Sequence, residues 1–184
     1  MIKDKFTVKA KSEGYEARSV YKLIEINKKY ALIKKRDFVL DLGCWPGSWL
    51  QACLEMGARP YGVDLKDTKI PGAGTLIADV EDDKIFSLIN KKFDVVLSDL
   101  APNTTGHVEQ DQYRSYELSC RAFEIAKRFL KVNGNFLVKI FQSGDSEELL
   151  KELRKKFEFV KTVKPDASKK RSREIYYLCI GYKG

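Results

Sequence analysis

The sequence predicts an α/β fold: a mostly parallel seven-stranded sheet with helices on both faces and an antiparallel hairpin at the C-terminus. Short β-rich runs alternate with helical patterns along the chain, and the first of these runs leads through a glycine-containing turn into a helix. The last two runs lie too close together for a crossover helix. The length of 184 residues and the hydrophobic content of 43% suit a single domain over residues 1–184.

The first helix is predicted over residues 16–33, because Val20, Leu23 and Ile24 recur at helical spacing. A strand follows over 38–44, and a helix over 48–56 ends at Gly57. The longest helix carries an apolar stripe from Tyr116 to Leu130, which indicates core packing. Further strands are predicted over 60–65, 75–80, 94–100, 135–141, 159–164 and 175–182. Parallel strands of this kind predict a ligand at their carboxyl ends.

The positive charge is concentrated at the two ends of the chain. The net charge of +8 divides into +7 for residues 1–36, −4 for residues 37–160 and +5 for residues 161–184. If the fold brings the two ends together, they form one basic face of the kind that binds nucleic acid. A solvated lysine-rich surface is the alternative interpretation. We expect the basic segment 1–36 to contribute to RNA binding.

The cysteines and the N-terminus favour a cytoplasmic protein without a structural metal. Cys44, Cys53, Cys120 and Cys179 lack the paired spacing of a zinc site, and His107 is the single histidine of the sequence. We therefore expect reduced, mostly buried thiols and no metal site. The first residues lack the apolar core of a signal peptide, and no run in the sequence is long enough to span a membrane.

The turn after the first predicted strand has the features of a cofactor loop. Gly43 and Gly47 allow the backbone to approach a ligand closely. The turn differs from the dinucleotide-binding G-x-G-x-x-G pattern, because it contains Pro46 and has no basic residue that could bind a phosphate.

Carboxylates follow at the ends of successive predicted strands. Asp41 precedes the turn, Asp64 ends the second strand, and Asp79 ends the third. A carboxylate at the position of Asp64 accepts hydrogen bonds from ribose hydroxyls in such folds, and Asp79 is placed to accept from an adenine amino group. Each aspartate can equally be a turn or helix-capping residue. Acidic groups without phosphate donors suit S-adenosylmethionine, which carries adenosine, an ammonium and a sulfonium.

Five stretches, in order along nearly the whole chain, resemble the FtsJ/RrmJ family of ribose 2′-O-methyltransferases. They are Arg18-Ser-Val-Tyr-Lys-Leu23, Asp41 to Trp49, Leu97-Ser-Asp-Leu-Ala-Pro-Asn103, Leu137-Val-Lys-Ile-Phe-Gln142 and Arg171-Ser-Arg-Glu-Ile-Tyr176. The segment Lys164-Pro-Asp-Ala-Ser168 is similar to the bacterial branch that acts on a uridine of large-subunit ribosomal RNA. The resemblance departs from the family at Cys44, Trp45 and Ser48, where small residues are more usual.

The resemblance implies a Rossmann-like S-adenosylmethionine-dependent methyltransferase fold and a catalytic tetrad of Lys22, Asp99, Lys139 and Glu174. It also implies cofactor contacts at Gly47, Trp49, Asp64, Asp79 and Asp99. We add Gly43, the first glycine of the turn, to this set.

The tetrad suits methyl transfer because a sulfonium is already a good methyl donor and mainly needs an aligned oxygen that loses its proton. We interpret Lys139 as the base. A lysine has a pKa of ~10.4 in water, so a lysine base must be desolvated or face a second ammonium. Lys22 is the candidate for that ammonium, and Asp99 and Glu174 are expected to orient the lysines or the ribose. An ordinary ion-pair cluster is the alternative.

We expect ribosomal RNA, within the large ribosomal subunit, as the partner of a monomeric enzyme that does not bind membranes. Basic residues are predicted to contact phosphates: Lys3, Lys5, Lys9, Lys11, Arg18, Lys28, Lys29, Lys169, Lys170, Arg171 and Arg173. Three other functions stay open at this point: transfer RNA as the acceptor, a non-catalytic RNA-binding module, and a nicotinamide enzyme. The absent pyrophosphate fingerprint argues against the last of these.

Overall fold

The computed structural model describes residues 4–169 and 172–184. Its centre is a seven-stranded sheet with the order β3-β2-β1-β4-β5-β7-β6. Every neighbouring pair of strands is parallel except those made by β7, which is antiparallel to both β5 and β6. The α/β fold, the mostly parallel sheet and the antiparallel C-terminal hairpin are thus confirmed. The strands are β1 (Phe38–Leu42), β2 (Arg59–Asp64), β3 (Gly74–Ile77), β4 (Phe93–Ser98), β5 (Leu130–Phe141), β6 (Phe157–Val163) and β7 (Glu174–Tyr182).

Helices cover both faces of the sheet, as predicted. The helices are α1 (Lys5–Ser12), α2 (Val20–Tyr30), α3 (Ser48–Glu55), α4 (Ile85–Leu88), α5 (Val108–Phe129) and α6 (Gly144–Lys156). Each face of the sheet has its own core. Val39 of β1 belongs to the core beneath α1, α2 and α3, whereas Leu40 and Leu42 belong to the core beneath α4, α5 and α6. This division follows from the alternation of side chains along a strand.

Several predicted boundaries are wrong by a few residues. The helix predicted over 16–33 spans only Val20–Tyr30, because Ala31 adopts a left-handed φ of 50° that ends it. The long helix ends at Phe129, and Leu130 already begins β5, which was predicted from residue 135. Strand β3 ends at Ile77, so Asp79 lies in the following loop rather than at the strand end.

Helix α1 was not predicted. It buries a single residue, Ala10, so its apolar periodicity is too short to be seen in the sequence. It is attached to the body through Arg18, which pairs with Asp4 and donates a hydrogen bond to the carbonyl oxygen of Ala167 at 2.5 Å. Arg18 therefore has a structural role in addition to its predicted phosphate contact.

The fold brings the two basic ends of the chain together. Besides the Arg18 contact with Ala167, the backbone N–H of Asp166 donates to the Glu25 carboxylate at 2.9 Å. A groove of about 850 Å³ lies between α1 and the segment after β6. Its basic side chains are Lys5, Arg18, Lys164 and Lys169. Predicted phosphate contacts at Lys3, Lys170 and Arg171 lie outside the described residues. None of the helices in the described part of the chain has the length and apolar character needed to cross a membrane.

Candidate active site

Four elements place the tetrad on one face of the sheet. Lys22 lies on α2, Asp99 directly follows β4, Lys139 lies near the end of β5, and Glu174 begins β7. In β5 the flanking residues Val138 and Ile140 belong to the core on the opposite face, so the side chain of Lys139 points towards α2 and α3. The antiparallel register pairs Lys139 with Tyr176 and Phe141 with Glu174. The structure therefore brings all four predicted tetrad residues together.

The tetrad consists of two ion pairs that are largely shielded from solvent. The Nζ of Lys22 lies 2.6 Å from Oε1 of Glu174, and both side chains are 12% exposed. The Nζ of Lys139 lies 3.3 Å from Oδ1 of Asp99 and donates to the carbonyl oxygen of Asp99 at 2.7 Å. The Lys139 side chain is only 5% exposed. Two bonds from Lys139 to one residue fix the direction of its ammonium.

Tyr176 joins the two ion pairs, a role that the sequence interpretation missed. Its hydroxyl donates to Oδ1 of Asp99 at 2.7 Å, and the Nζ of Lys22 lies 5.7 Å from the centroid of its ring. The side chain is fully buried. The sequence held a signal, because Tyr176 is two residues after Glu174 and must share its face of the strand.

Ser168 is a second residue that was missed. Its hydroxyl is buried and donates to Oε1 of Glu174 at 3.1 Å, the same oxygen that pairs with Lys22. The carboxylate of Glu174 is thus held from two sides. The contact depends on how the segment between β6 and β7 folds back, so the sequence offered no spacing signal for it.

The electrostatics of the tetrad favour an ionised Asp99. Burial alone would raise the pKa of Asp99, but the ammonium groups of Lys139 and Lys22 and the hydroxyl of Tyr176 together lower it below its ordinary value. The pKa of Tyr176 is raised well above its ordinary value, first by burial and then by the charges of Asp99 and Glu174. Tyr176 is therefore a hydrogen-bond donor at neutral pH.

A cleft of about 590 Å³ opens at the carboxyl ends of β1, β2 and β4, beside the tetrad. Four of the predicted cofactor positions line it: Gly43, Asp64, Asp79 and Asp99. Gly43 has a φ of +79°, and a Cβ there would lie 2.7 Å from Cδ2 of Leu100. A larger residue at position 43 would therefore be strained and would crowd the floor of the cleft.

Asp64 ends β2 and Asp79 lies in the loop after β3, and both side chains accept backbone hydrogen bonds while they line the cleft, so the two interpretations from the sequence are compatible. The oxygens of Asp64 accept from the backbone N–H groups of Trp45 at 2.9 Å and Lys66 at 3.0 Å. Asp79 accepts from the backbone N–H of Glu81 at 2.9 Å. Because each carboxylate oxygen has two lone pairs, both aspartates retain capacity for ligand hydroxyl or amino groups.

Gly47 ends the turn and Trp49 lies in the first turn of α3, and neither lines the cleft. Gly47 has a φ of +115° and directly precedes α3, and a Cβ there would lie 2.6 Å from the side chain of Ile70. The Trp49 indole is buried, donates to the carbonyl oxygen of Ser19 at 2.9 Å and packs near Tyr176. Their contacts with a cofactor stay predictions. The side chain of Trp49 supports the tetrad through its packing near Tyr176.

Asp41 is the most unusual carboxylate of the site. It is 1% exposed, and neither of its oxygens has a hydrogen-bond partner among the described residues. Burial, followed by the negative charges of Asp99 and Asp64, raises its pKa well above the ordinary value. The site therefore favours the neutral form of Asp41 more than water does.

Comparisons with known proteins agree with this geometry. The family model of FtsJ-like methyltransferases matches residues 15–182. The chain belongs to the FtsJ-like methyltransferase family. Three relatives are named Ribosomal RNA large subunit methyltransferase E. That of Nitratidesulfovibrio vulgaris is 42% identical over 99% of this chain and 94% of its own length. That of Bdellovibrio bacteriovorus is 41% identical over 98% and 97%, and that of Archaeoglobus fulgidus is 41% identical over 95% and 94%.

Two solved structures share the fold. A crystal structure described as that of a ribosomal RNA methyltransferase from Plasmodium falciparum superimposes with a TM-score of 0.83 at 31% identity, covering 92% of this chain and 100% of that one. Fibrillarin in its complex with Nop5p gives a TM-score of 0.64 at 19% identity, covering 88% and 81%, and shows the fold alone. The chain is therefore a methyltransferase with a Rossmann-like sheet, and enzymes of this kind use S-adenosylmethionine in general.

Proposed function

We propose that this methyltransferase transfers the methyl group of S-adenosylmethionine to a ribose 2′-hydroxyl of ribosomal RNA, most specifically of the large subunit. The observation that carries the proposal is the position of the buried Lys139–Asp99 pair, which adjoins a cleft lined by carboxylates. The names of the relatives support ribosomal RNA as the acceptor.

The cleft suits S-adenosylmethionine in charge and in shape. The carboxylates of Asp64, Asp79 and Asp99 line it. In this proposal Asp64 accepts from the ribose hydroxyls of the cofactor, Asp79 accepts from the adenine amino group, and Asp99 faces the positively charged part. The sulfonium supplies the methyl group. Because Gly43 has no Cβ, the space beside Leu100 in the cleft stays open for the ligand.

Lys139 acts as the base in the proposed reaction. The 2′-oxygen of the acceptor forms a bond to the methyl carbon while the carbon–sulfur bond breaks, and its proton passes to Nζ of Lys139. The amine that accepts the proton is nearly excluded from solvent, because the Lys139 side chain is only 5% exposed. Asp99 and Tyr176 hold the amine in position.

Lys22 and Glu174 are proposed to hold the acceptor ribose. Their short ion pair is supported by Ser168 and is connected to the Lys139–Asp99 pair through Tyr176. A fixed group that accepts or donates hydrogen bonds aligns the 2′-oxygen and lowers the entropic cost of the in-line approach.

The basic groove is proposed to bind the RNA strand. It is lined by Lys5, Arg18, Lys164 and Lys169 and by Ser168, the residue that supports Glu174. The groove therefore continues to the tetrad, and the N-terminal segment contributes to it. Lysine contacts to phosphates predict an affinity for RNA that falls steeply with salt. Monomeric action on an assembled large subunit in the cytoplasm is part of the same proposal.

The test is transfer of tritium from methyl-labelled S-adenosylmethionine to purified large subunits, small subunits and transfer RNA, followed by nuclease digestion. We expect label on a 2′-oxygen of large-subunit RNA alone. Label on a base, or label confined to transfer RNA, would contradict the proposal.

A further inference from the structure

Trp45 is an exposed tryptophan in the wall of the cleft. It stands where the sequence departs from the small residues usual in the family, and its side chain lines the cleft while the residue is 50% exposed. A large aromatic side chain that remains half-exposed beside a ligand cleft presents apolar surface that a ligand can cover.

Trp45 is connected to Asp64, the residue predicted to bind the ribose, both directly and through Lys66. The backbone N–H of Trp45 donates to one oxygen of the Asp64 carboxylate, and the N–H of Lys66 donates to the other. The Nζ of Lys66 also lies 3.8 Å from the centroid of the indole ring, a cation–π contact that restrains the ring. Indole, lysine and carboxylate thus form one unit.

The surroundings of this unit have the chemistry of a nucleoside site. Leu65, which is 68% exposed, borders the same part of the cleft. A carboxylate that accepts from sugar hydroxyls, flanked by aromatic and aliphatic surface that a base or sugar can cover, is the combination that recognises a nucleoside. An RNA base outside the cleft would contact the aromatic surface of Trp45 but not the carboxylate of Asp64.

We propose that Trp45, restrained by Lys66, is a cofactor-binding residue that covers the adenosine part of S-adenosylmethionine and slows its release. The inference rests on the proposed function, because it takes S-adenosylmethionine as the ligand. It assigns a binding role to a position at which the resemblance to the family implies none.

The physical effect is burial of indole surface when the ligand enters. Removing the indole should raise the Kd of S-adenosylmethionine and of the product S-adenosylhomocysteine about tenfold, mostly through faster dissociation. A phenyl ring in the same place retains part of the surface and should cost less.

The experiment compares wild type with Trp45→Ala and Trp45→Phe by calorimetric titration with both ligands. Phe159→Ala is the matched control, because Phe159 is 48% exposed on β6, at the far edge of the sheet. Tryptophan fluorescence gives a second measurement, since the chain has two tryptophans and Trp49 is buried. We expect binding to be weaker by about tenfold in Trp45→Ala, weaker by less in Trp45→Phe and unchanged in Phe159→Ala, and we expect a ligand-dependent fluorescence change that disappears in Trp45→Phe.

The outcomes separate this inference from the proposed function. Equal cofactor affinity of wild type and Trp45→Ala overturns the inference, as does a Trp45→Ala variant that binds the cofactor normally but binds RNA more weakly. If the wild type itself does not bind S-adenosylmethionine, the proposed function fails instead. Thermal unfolding of each variant verifies folding, which an exposed side chain should leave intact.

Discussion

The two ends of the cleft differ in how their charges are balanced. At the tetrad end, the carboxylates of Asp99 and Glu174 each have an ammonium partner within 3.3 Å. At the cofactor end, Asp64 and Asp79 accept hydrogen bonds from backbone N–H groups. The first arrangement fixes reacting groups before the acceptor arrives, and the second leaves net negative charge for a cationic ligand. The comparison predicts that substitutions at the tetrad end change turnover, whereas substitutions at the cofactor end change affinity.

Asp99 belongs to both ends, and its replacement should have the largest effect. Asp99→Asn keeps the shape but leaves the buried ammonium of Lys139 without its counter-charge. We expect turnover to fall by about 10³-fold or more and the Kd of S-adenosylmethionine to rise as well. Single-turnover methyl transfer and calorimetry measure the two effects. A change in only one of them would place Asp99 at one end of the cleft.

Tyr176→Phe tests whether the hydrogen bond between the two ion pairs matters for the chemistry. Loss of a hydrogen bond to an ionised carboxylate should lower kcat about tenfold or more and leave the Kd of S-adenosylmethionine nearly unchanged. Tyr177→Phe is the control, because it removes a buried hydroxyl that donates to the carbonyl oxygen of Ser146 in the opposite core. Equal kcat values for the two variants would reduce Tyr176 to a packing residue.

Asp64→Asn tests the cofactor end. The substitution removes a charged acceptor but keeps the size, so the Kd of S-adenosylmethionine should rise about tenfold while kcat at saturation persists. Asp67→Asn is the matched control, since Asp67 forms an exposed ion pair with Lys69 in the same loop. A fall in kcat without a change in affinity would contradict the division between the two ends.

Asp41→Asn should have the smallest effect, and the effect concerns stability. Because the pKa of Asp41 is raised in the folded state, its contribution to stability is fully present below the ordinary pKa of ~3.9 and is lost as the pH rises towards the folded value. The Tm of Asp41→Asn relative to wild type should therefore increase with pH, by ~2–4 °C for each kcal/mol recovered.

Scans of the ligand-free protein at pH 4, 6 and 8 measure this difference. Asp83→Asn, at an aspartate whose side chain is 86% exposed, serves as the reference. A difference in Tm that is independent of pH would show that Asp41 has an ordinary pKa.

The sequence predicted the class of fold because strand periodicity is a local property. The four tetrad residues, which the structure brings together, were predicted through the resemblance of five motifs to a known family. It did not predict that β7 lies between β5 and β6, which creates the register of Lys139 with Tyr176. The contact of Ser168 with Glu174 and the stacking of Lys66 on Trp45 likewise depend on loop paths that periodicity does not encode. Helix α1 contributes only Ala10 and the partly buried Phe6 to the core, a pattern too short to be recognised in the sequence.

The measurement that tests the account most directly is single-turnover methyl transfer by Lys139→Met, made together with the Kd of S-adenosylmethionine. Methionine retains the buried stem of Lys139 but not the amine. We expect transfer to the 2′-oxygen to fall by about 10³-fold or more while the Kd changes less than about twofold. Transfer at the wild-type rate would show that Lys139 is not the base and would contradict the assignment of the chemistry to the tetrad end.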